Sequence, residues 1–151
     1  MRFILFTGLL LVAVGHAHSQ QTNPNYDEAL AKEVGADDYG MKSFIFVMLK
    51  TGANTTEGEE RSEAFAGHMS NMNTMVEAGK LVVAGPMEKN DLEYRGIFIL
   101  NVPTVEEALE LLQTDPAIAQ GYLEPLMFKW YGSAALSTYL ENADKVWKVG
   151  F

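Results

Sequence analysis

The chain has 151 residues, contains no cysteine and carries a net charge of −9 at pH 7. This length is typical of one domain. The absence of cysteine excludes disulfides, thiolate nucleophiles and cysteine-ligated zinc or iron–sulfur sites. Because an acidic surface repels nucleic acid and anionic membranes, neither is expected as a partner.

Residues 1–19 have the layout of a secretory signal peptide. Arg2 precedes the apolar run "FILFTGLLLVAV", and the stretch "GHAHSQ" follows it, in the order that such peptides use. The run is shorter than the roughly 20 residues of a membrane span, so a retained anchor helix is the less favoured alternative. Cleavage is predicted after Ser19, with a cut after Ala17 as the alternative. The mature protein is therefore expected to be exported, either periplasmic or secreted, with no membrane attachment after cleavage.

Residues 20–40 are polar and rich in turn-forming residues, with one weakly helical segment over 27–34. We predict a linker or a loosely docked N-terminal arm here. Regular elements follow it closely. In chain order they are a strand over 42–50, a helix over 57–78, strands over 80–86 and 94–102, a helix over 105–113 and a strand over 123–132.

The residue types in these segments determine the predicted elements. The first strand, "KSFIFVMLK", is rich in aromatic and β-branched residues, as strands usually are. The first long helix is predicted to begin near Thr55 or Thr56 and to end before Gly79, a residue type that commonly follows a helix. In the second, "VEEALELLQ", apolar residues recur at the helical period,. Residues 136–151 form a tail with partial helical character.

The order β-α-β-β-α-β is that of the ferredoxin-like fold, an α+β arrangement with a four-stranded antiparallel sheet and both helices on one face. The first strand is apolar on both faces, because Phe44, Phe46 and Met48 alternate with the apolar residues between them. A face in contact with water would be polar. We therefore predict that a second copy covers this face in a sheet-to-sheet homodimer, although the tail could cover part of it.

One histidine, His68, remains after cleavage of the signal peptide. It lies in "FAGHMSNMNTM", on the same helical stripe as Phe65 and Met72. A carboxylate commonly orients the imidazole of a catalytic histidine, and Asp91 and Asp115 are the candidates from the loops. A histidine and aspartate pair can act as a general acid or base. The alternative is a core histidine with one satisfied hydrogen bond, which the spacing alone favours.

Other signatures of chemistry are missing from the sequence, which has no G-x-S-x-G, no phosphate-binding glycine loop and no H-E-x-x-H,. A multi-histidine metal site is impossible with one mature histidine, so we predict no metal and no cofactor. The methionines near His68 either fill the core or line an adaptable ligand pocket. Asp115 also has a structural interpretation, because it would cap a short helix that Pro116 begins.

Taken together, the segments over residues 41–135 resemble the YCII-related (YciI-like) family of small dimeric α+β-barrel proteins. The matching pieces occur in the family's order and are "KSFIFVMLK", "FAGHMSNMNTMVEAGKLVVAGPM", "YRGIFIL" and "TDPAIAQGYLEPLMFKWYG". The resemblance implies a ferredoxin-like domain that dimerises through its sheets. It also implies an active-site pair in a cleft beside the sheet, with the histidine at His68 and the aspartate at Asp115. Asp91 is a weaker match, because the loop that carries it is short here.

The family includes one group that dehydrochlorinates a chlorinated hydroxyquinol, and the wider fold includes cofactor-free oxygenases, isomerases and haem-handling enzymes. The expected function is thus a small cofactor-independent enzyme in which His68, oriented by Asp115 or Asp91, moves a proton on an aromatic or enol-type substrate. The alternative is a non-catalytic dimeric module that binds a small ligand or serves as an accessory. Export and the terminal extensions depart from the usual family member and argue against a cytoplasmic degradative role.

Overall fold

Four antiparallel strands form one sheet in the computed structural model, which describes residues 23–143, 145, 146 and 148. The strands are β1 (Met41–Thr51), β2 (Leu81–Pro86), β3 (Tyr94–Leu100) and β4 (Leu123–Ser133). They lie in the order β2-β3-β1-β4, which confirms the ferredoxin-like prediction. The signal peptide predicted over residues 1–19 lies outside the described residues and stays a prediction, which N-terminal sequencing of exported protein would check.

Five α-helices lie within the described residues. They are α1 (Glu28–Val34), α2 (Glu59–Glu77), α3 (Val105–Gln113), α4 (Pro116–Ala119) and α5 (Leu140–Ala143), with a 3₁₀ helix at Ala134–Tyr139. The helix α3 has the predicted bounds, and Thr104 caps it by accepting from the Glu107 backbone N–H. In the part of the chain that the structure describes, no helix is long and apolar enough to cross a membrane.

The helix α2 begins later than predicted, because a loop contact holds the threonines outside it. Its N-cap is Gly58, with φ at 101°. The Asn54 side chain accepts a hydrogen bond from the Thr56 backbone N–H and donates one to the Gln120 carbonyl oxygen. This bridge to a segment far along the chain keeps Thr56 in the loop. The predicted end is confirmed, since Gly79 follows α2 with φ at 65°.

One face of the sheet and the inner sides of α2 and α3 form the core. Ile45 and Val47 of β1 and Leu100 of β3 are fully buried there. The helices contribute the buried residues Ala64, Met75, Ala108 and Leu112. Full burial of one such aliphatic side chain contributes about 1.5–3 kcal/mol relative to exposure. This face therefore fixes α2, and with it His68, against the sheet.

The second face of the sheet is covered at one end. Phe44, which lies on this face, is fully buried, and its ring centroid is 5.6 Å from that of Trp130. Lys42, two residues earlier on the same face, donates through Nζ to the Val34 carbonyl oxygen at 3.0 Å. The helix α1 also contacts the 3₁₀ helix. The terminal segments therefore cover the Phe44 end of this face.

The rest of the second face is apolar and partly exposed. We call it the open sheet face, and it consists of Phe46, Met48, Ile97, Ile99, Leu126, Phe128 and Trp130. Phe128 is 55% exposed and Trp130 is 38% exposed. Both faces of the central strands are thus apolar, as the alternation in the sequence predicts.

A hydrogen bond between Asp37 and Tyr131 docks the N-terminal arm on β4. The Tyr131 hydroxyl donates to the Asp37 carboxylate, which also accepts from the Met41 and Tyr39 backbone N–H groups. The phenol hydrogen bond is the main reason that the pKa of Asp37 lies below its usual value. The same bond raises the pKa of Tyr131. The arm is therefore fixed to the domain where β1 begins.

Candidate functional site

His68 lies on the face of α2 that packs against the sheet. Its side chain is 11% exposed. The ring stacks on Phe98 of β3 at a centroid distance of 5.9 Å and meets the edge of Phe65, one turn earlier in α2, at 6.0 Å. The imidazole is therefore packed between two aromatic rings, and one of its ring nitrogens forms a hydrogen bond.

Asp115 is the hydrogen-bond partner of that nitrogen. Its carboxylate is fully buried, and Oδ2 lies 2.6 Å from His68 Nδ1. The other oxygen, Oδ1, accepts from the backbone N–H groups of Ala117 at 2.9 Å and Ile118 at 3.4 Å, and so caps α4. Both oxygens are therefore satisfied, as a buried carboxylate requires. The predicted cap is confirmed, and the same residue also contacts the histidine.

This pairing determines which nitrogen of the neutral imidazole carries the proton. A carboxylate only accepts hydrogen bonds, so Nδ1 must donate and Nε2 is left as an unprotonated acceptor. His68 Nε2 has no hydrogen-bond partner among the described residues, and it is not fully buried. It is therefore open to the space beside the sheet, where it can accept a proton.

A close contact between α2 and α4 brings the pair together. Gly67 precedes His68, and a Cβ placed on it would lie 2.6 Å from Pro116 Cγ. A larger residue at position 67 would therefore push α2 away from the Asp115–Pro116 turn. A second contact holds the same region, because Asn71 Nδ2 donates to the Thr114 hydroxyl at 2.7 Å.

Replacement of Gly67 by alanine is expected to destabilise the fold, although alanine normally favours a helix. Overpacking against Pro116 should cost about 1–3 kcal/mol of unfolding free energy, more than the roughly 1 kcal/mol that a helical alanine gains over glycine. Chemical denaturation measures the difference. Ser70→Ala, at an exposed position of the same helix, should be close to neutral. Pro116→Ala in the same chain should relieve part of the Gly67→Ala loss, and purely additive losses would contradict the clash.

Asp91 is the other candidate partner of the histidine. It is exposed in the turn between β2 and β3. The Asn90 side chain closes this turn through hydrogen bonds with the Tyr94 backbone N–H and carbonyl oxygen. Asp91 forms no hydrogen bond with His68 in the described structure. The fold therefore brings His68 to Asp115 and not to Asp91.

A pocket of about 340 Å³ opens beside His68, between α2 and the sheet. Its lining comes from β1, α2, β2, β3 and β4 and is Leu49, Phe65, His68, Met69, Met72, Ala84, Gly85, Pro86, Arg95, Gly96, Phe98 and Leu123. His68 and Arg95 are the only side chains in this lining with nitrogen or oxygen atoms. Met69 and Met72 line the pocket, whereas Met75 is buried in the core. Met75 therefore fills the core, whereas the proposed role of the others in ligand binding stays a prediction.

Sequence reasoning missed Arg95 as a pocket residue. It lies in the third strand, in "YRGIFIL", where alternation would place it on the opposite face from Gly96. The only signal was its position beside a glycine near the start of the strand. Across residues 23–143 and the described tail positions, no group of three or more His, Asp or Glu side chains is arranged to hold a metal ion.

Comparison with known proteins gives one family match. The sequence pattern of the YCII-related domain matches residues 44–128, a range that includes His68, Arg95 and Asp115. No curated protein matches the chain. Among solved structures, 5-chloro-2-hydroxyhydroquinone dehydrochlorinase (TftG) from Burkholderia phenoliruptrix AC1100, in complex with 2,5-dihydroxybenzoquinone, is similar at 18% identity and a TM-score of 0.40. That match covers 57% of this chain and 92% of the other.

Proposed function

We propose that this chain, which belongs to the YCII-related family, is an exported, cofactor-independent enzyme that transfers a proton on a small aromatic or enol-type substrate. The main support is the hydrogen bond between His68 Nδ1 and Asp115 Oδ2 at 2.6 Å. It leaves Nε2 as an acceptor at an apolar pocket of about 340 Å³. A base oriented in this way next to a bound substrate is the arrangement that general acid–base catalysis requires.

In the proposed reaction, His68 Nε2 takes a proton from a C–H or O–H group of the substrate. The products of this step are an imidazolium and an enolate or phenolate, and Asp115 stabilises the imidazolium through its Nδ1–H. Return of the proton from Nε2 to a different atom of the substrate completes an isomerisation and restores the neutral imidazole. The apolar walls formed by Phe65, Phe98 and Met72 suit a flat ring and keep water from the transferred proton.

Deuterium exchange tests this proposal without knowledge of the natural substrate. Phenylpyruvate and 1,2,4-trihydroxybenzene exchange carbon-bound hydrogen through enol and keto forms, and proton NMR in D₂O follows the loss of signal. The protein is expected to accelerate exchange of at least one of them above the rate in buffer. Equal rates with and without protein, for both compounds, would contradict the proposal.

The alternative is a module that binds a small ligand without chemistry. The observation in its favour is the composition of the pocket, in which all the lining side chains except those of His68 and Arg95 are apolar. Such a pocket can hold a ring through burial alone. Ligand-induced shifts of the His68 ring signals without any deuterium exchange would support this module over the enzyme.

We also propose that two copies associate through the open sheet face. This face is apolar across β1, β3 and β4, and a monomer would leave Phe128 55% exposed. Contiguous apolar surface of this kind commonly marks an interface between proteins. A dimer with the same face on both copies would have two-fold symmetry.

A charge in the open sheet face is expected to separate the dimer. Phe128→Glu would bury an unpaired carboxylate in the apolar interface, so light scattering should give the mass of a monomer. Leu109→Glu is the matched control, since Leu109 is 40% exposed on α3, away from this face, and it should remain dimeric. A monomeric wild type, or a Phe128→Glu variant that stays dimeric, would exclude this interface.

A further inference from the structure

A β-bulge places Arg95 in the pocket. Leu49 of β1 pairs with Gly96, and the next residue, Lys50, pairs with Tyr94, so Arg95 has no partner in β1. Regular alternation would direct its side chain to the open sheet face with Ile97, because neighbours two apart share a face. A bulge changes the direction of the strand and of its side chains, and bulges are frequent beside active sites.

The Arg95 side chain is held at one end of its guanidinium. Nε donates to the Thr51 hydroxyl at 2.6 Å, and this hydroxyl in turn donates to the Glu93 carbonyl oxygen at 3.3 Å. No other Arg95 side-chain hydrogen bond is present among the described residues. Arg95 is an exposed residue, so its two Nη groups remain available to a ligand, while the Nε contact restricts the rotation of the side chain.

The charge of Arg95 has no counterion within the described structure. None of the described carboxylates lies within 4.0 Å of its guanidinium, although the whole chain is acidic, with a net charge of −9. The neighbouring pocket surface is apolar. A guanidinium with free Nη donors binds a carboxylate through two parallel hydrogen bonds, a geometry that lysine does not offer.

We infer that Arg95 binds the carboxylate of a small aromatic or enol-type acid whose ring occupies the pocket beside His68. This inference rests on the proposed function and narrows its substrate class from any small aromatic or enol to one that carries a carboxylate. Arg95 acts in binding and orientation, and His68 remains the group that exchanges the proton. The loss of Arg95 should therefore raise KM for such an acid more than it lowers kcat.

Two probes with the same ring and different charge test the inference. Benzoate and benzamide are titrated into the full chain, and the His68 ring signals, assigned by their absence in His68→Ala, report binding by NMR. Charge-assisted hydrogen bonds contribute about 1.5–3 kcal/mol, so benzoate should bind roughly 10- to 100-fold more tightly than benzamide. In Arg95→Gln this ratio should fall to about one, with benzamide affinity unchanged.

Two further variants separate ligand binding from structure and from general charge. Arg95→Lys keeps the charge without the two-donor geometry. Its preference for benzoate over benzamide should therefore lie between those of the wild type and Arg95→Gln. Lys32→Gln removes one positive charge from the exposed face of α1, outside the pocket, and should keep the wild-type ratio. If Arg95→Gln does not fold, the benzoate-to-benzamide affinity ratios of the wild type and of Arg95→Lys still show whether Arg95 binds the carboxylate.

The outcomes distinguish this inference from the proposed function. Equal affinity of the wild type for both probes, or a preference for benzoate that persists in Arg95→Gln, would overturn the role of Arg95 and leave the pocket beside His68 intact. If neither probe moves the His68 signals, the pocket does not bind benzene rings, and the inference fails together with the aromatic substrate class of the proposed function.

Discussion

Substitution of His68 by alanine is expected to lower the rate of protein-catalysed deuterium exchange by about 10²–10⁴-fold, the usual contribution of a positioned general base. The variant has no nitrogen at the pocket wall to accept the substrate proton. Proton NMR in D₂O, with whichever of the two exchange substrates the wild type accelerates, measures the change. Arg95, the other polar side chain in the pocket lining, has hydrogen-bond donors and no acceptor, so it cannot replace the histidine as the proton acceptor.

His68→Gln refines this experiment. A glutamine amide can still donate to the buried Asp115 carboxylate, so this variant should retain more stability than His68→Ala, but an amide is not a base at neutral pH. The rate of protein-catalysed deuterium exchange should therefore fall to a similar extent in both variants. Ser70→Ala, on the exposed side of the same helix, should exchange at the wild-type rate. Exchange in His68→Gln within a few-fold of wild type would show that the base lies elsewhere.

Substitution of Asp115 by alanine is expected to lower both stability and exchange. The carboxylate caps α4 and bonds to His68. Loss of an N-cap costs about 0.5–2 kcal/mol, and loss of a charged hydrogen bond costs about 1.5–3 kcal/mol. We expect the free energy of unfolding to fall by about 2–4 kcal/mol, since the two costs act through one residue and need not add fully. Chemical denaturation measures this change.

Asp115→Asn separates the cap from the catalytic role. Its Oδ1 can still accept from the Ala117 backbone N–H, so the loss of stability should be smaller than in Asp115→Ala. Its amide can, however, donate to His68 Nδ1, which would move the ring proton to Nε2 and leave no acceptor in the pocket. Nitrogen-15 NMR of the ring distinguishes the two tautomers.

Asp91→Asn is the matched control for this substitution. Asp91 is exposed in a turn and forms no hydrogen bond with His68 in the described structure, so neither the stability nor the exchange rate should change. Loss of exchange in Asp91→Asn, together with normal exchange in Asp115→Asn, would show that the working pair is not the one seen here.

The strands and helices could be predicted because their causes are local. The apolar period of α3 and its Thr104 cap lie in one continuous segment, Thr104 to Gln113. The short helix α4 is likewise encoded locally, by Asp115 and Pro116. The alternation in β1 also indicated a sheet that is apolar on both faces. The start of α2 was placed too early, because the contact that keeps Thr56 outside the helix comes from the distant Gln120 carbonyl oxygen.

The candidate site was only partly contained in the sequence. From the residues alone, His68 can be placed on the apolar face of a helix, with Asp91 and Asp115 as possible partners. Tertiary structure selected Asp115, because Gly67 permits α2 to approach Pro116 closely. It also placed Arg95 in the pocket, because the bulge opposite Leu49 depends on the register of two strands. Contact between distant segments and strand register are properties of the packed chain, and no local pattern of residue types encodes them.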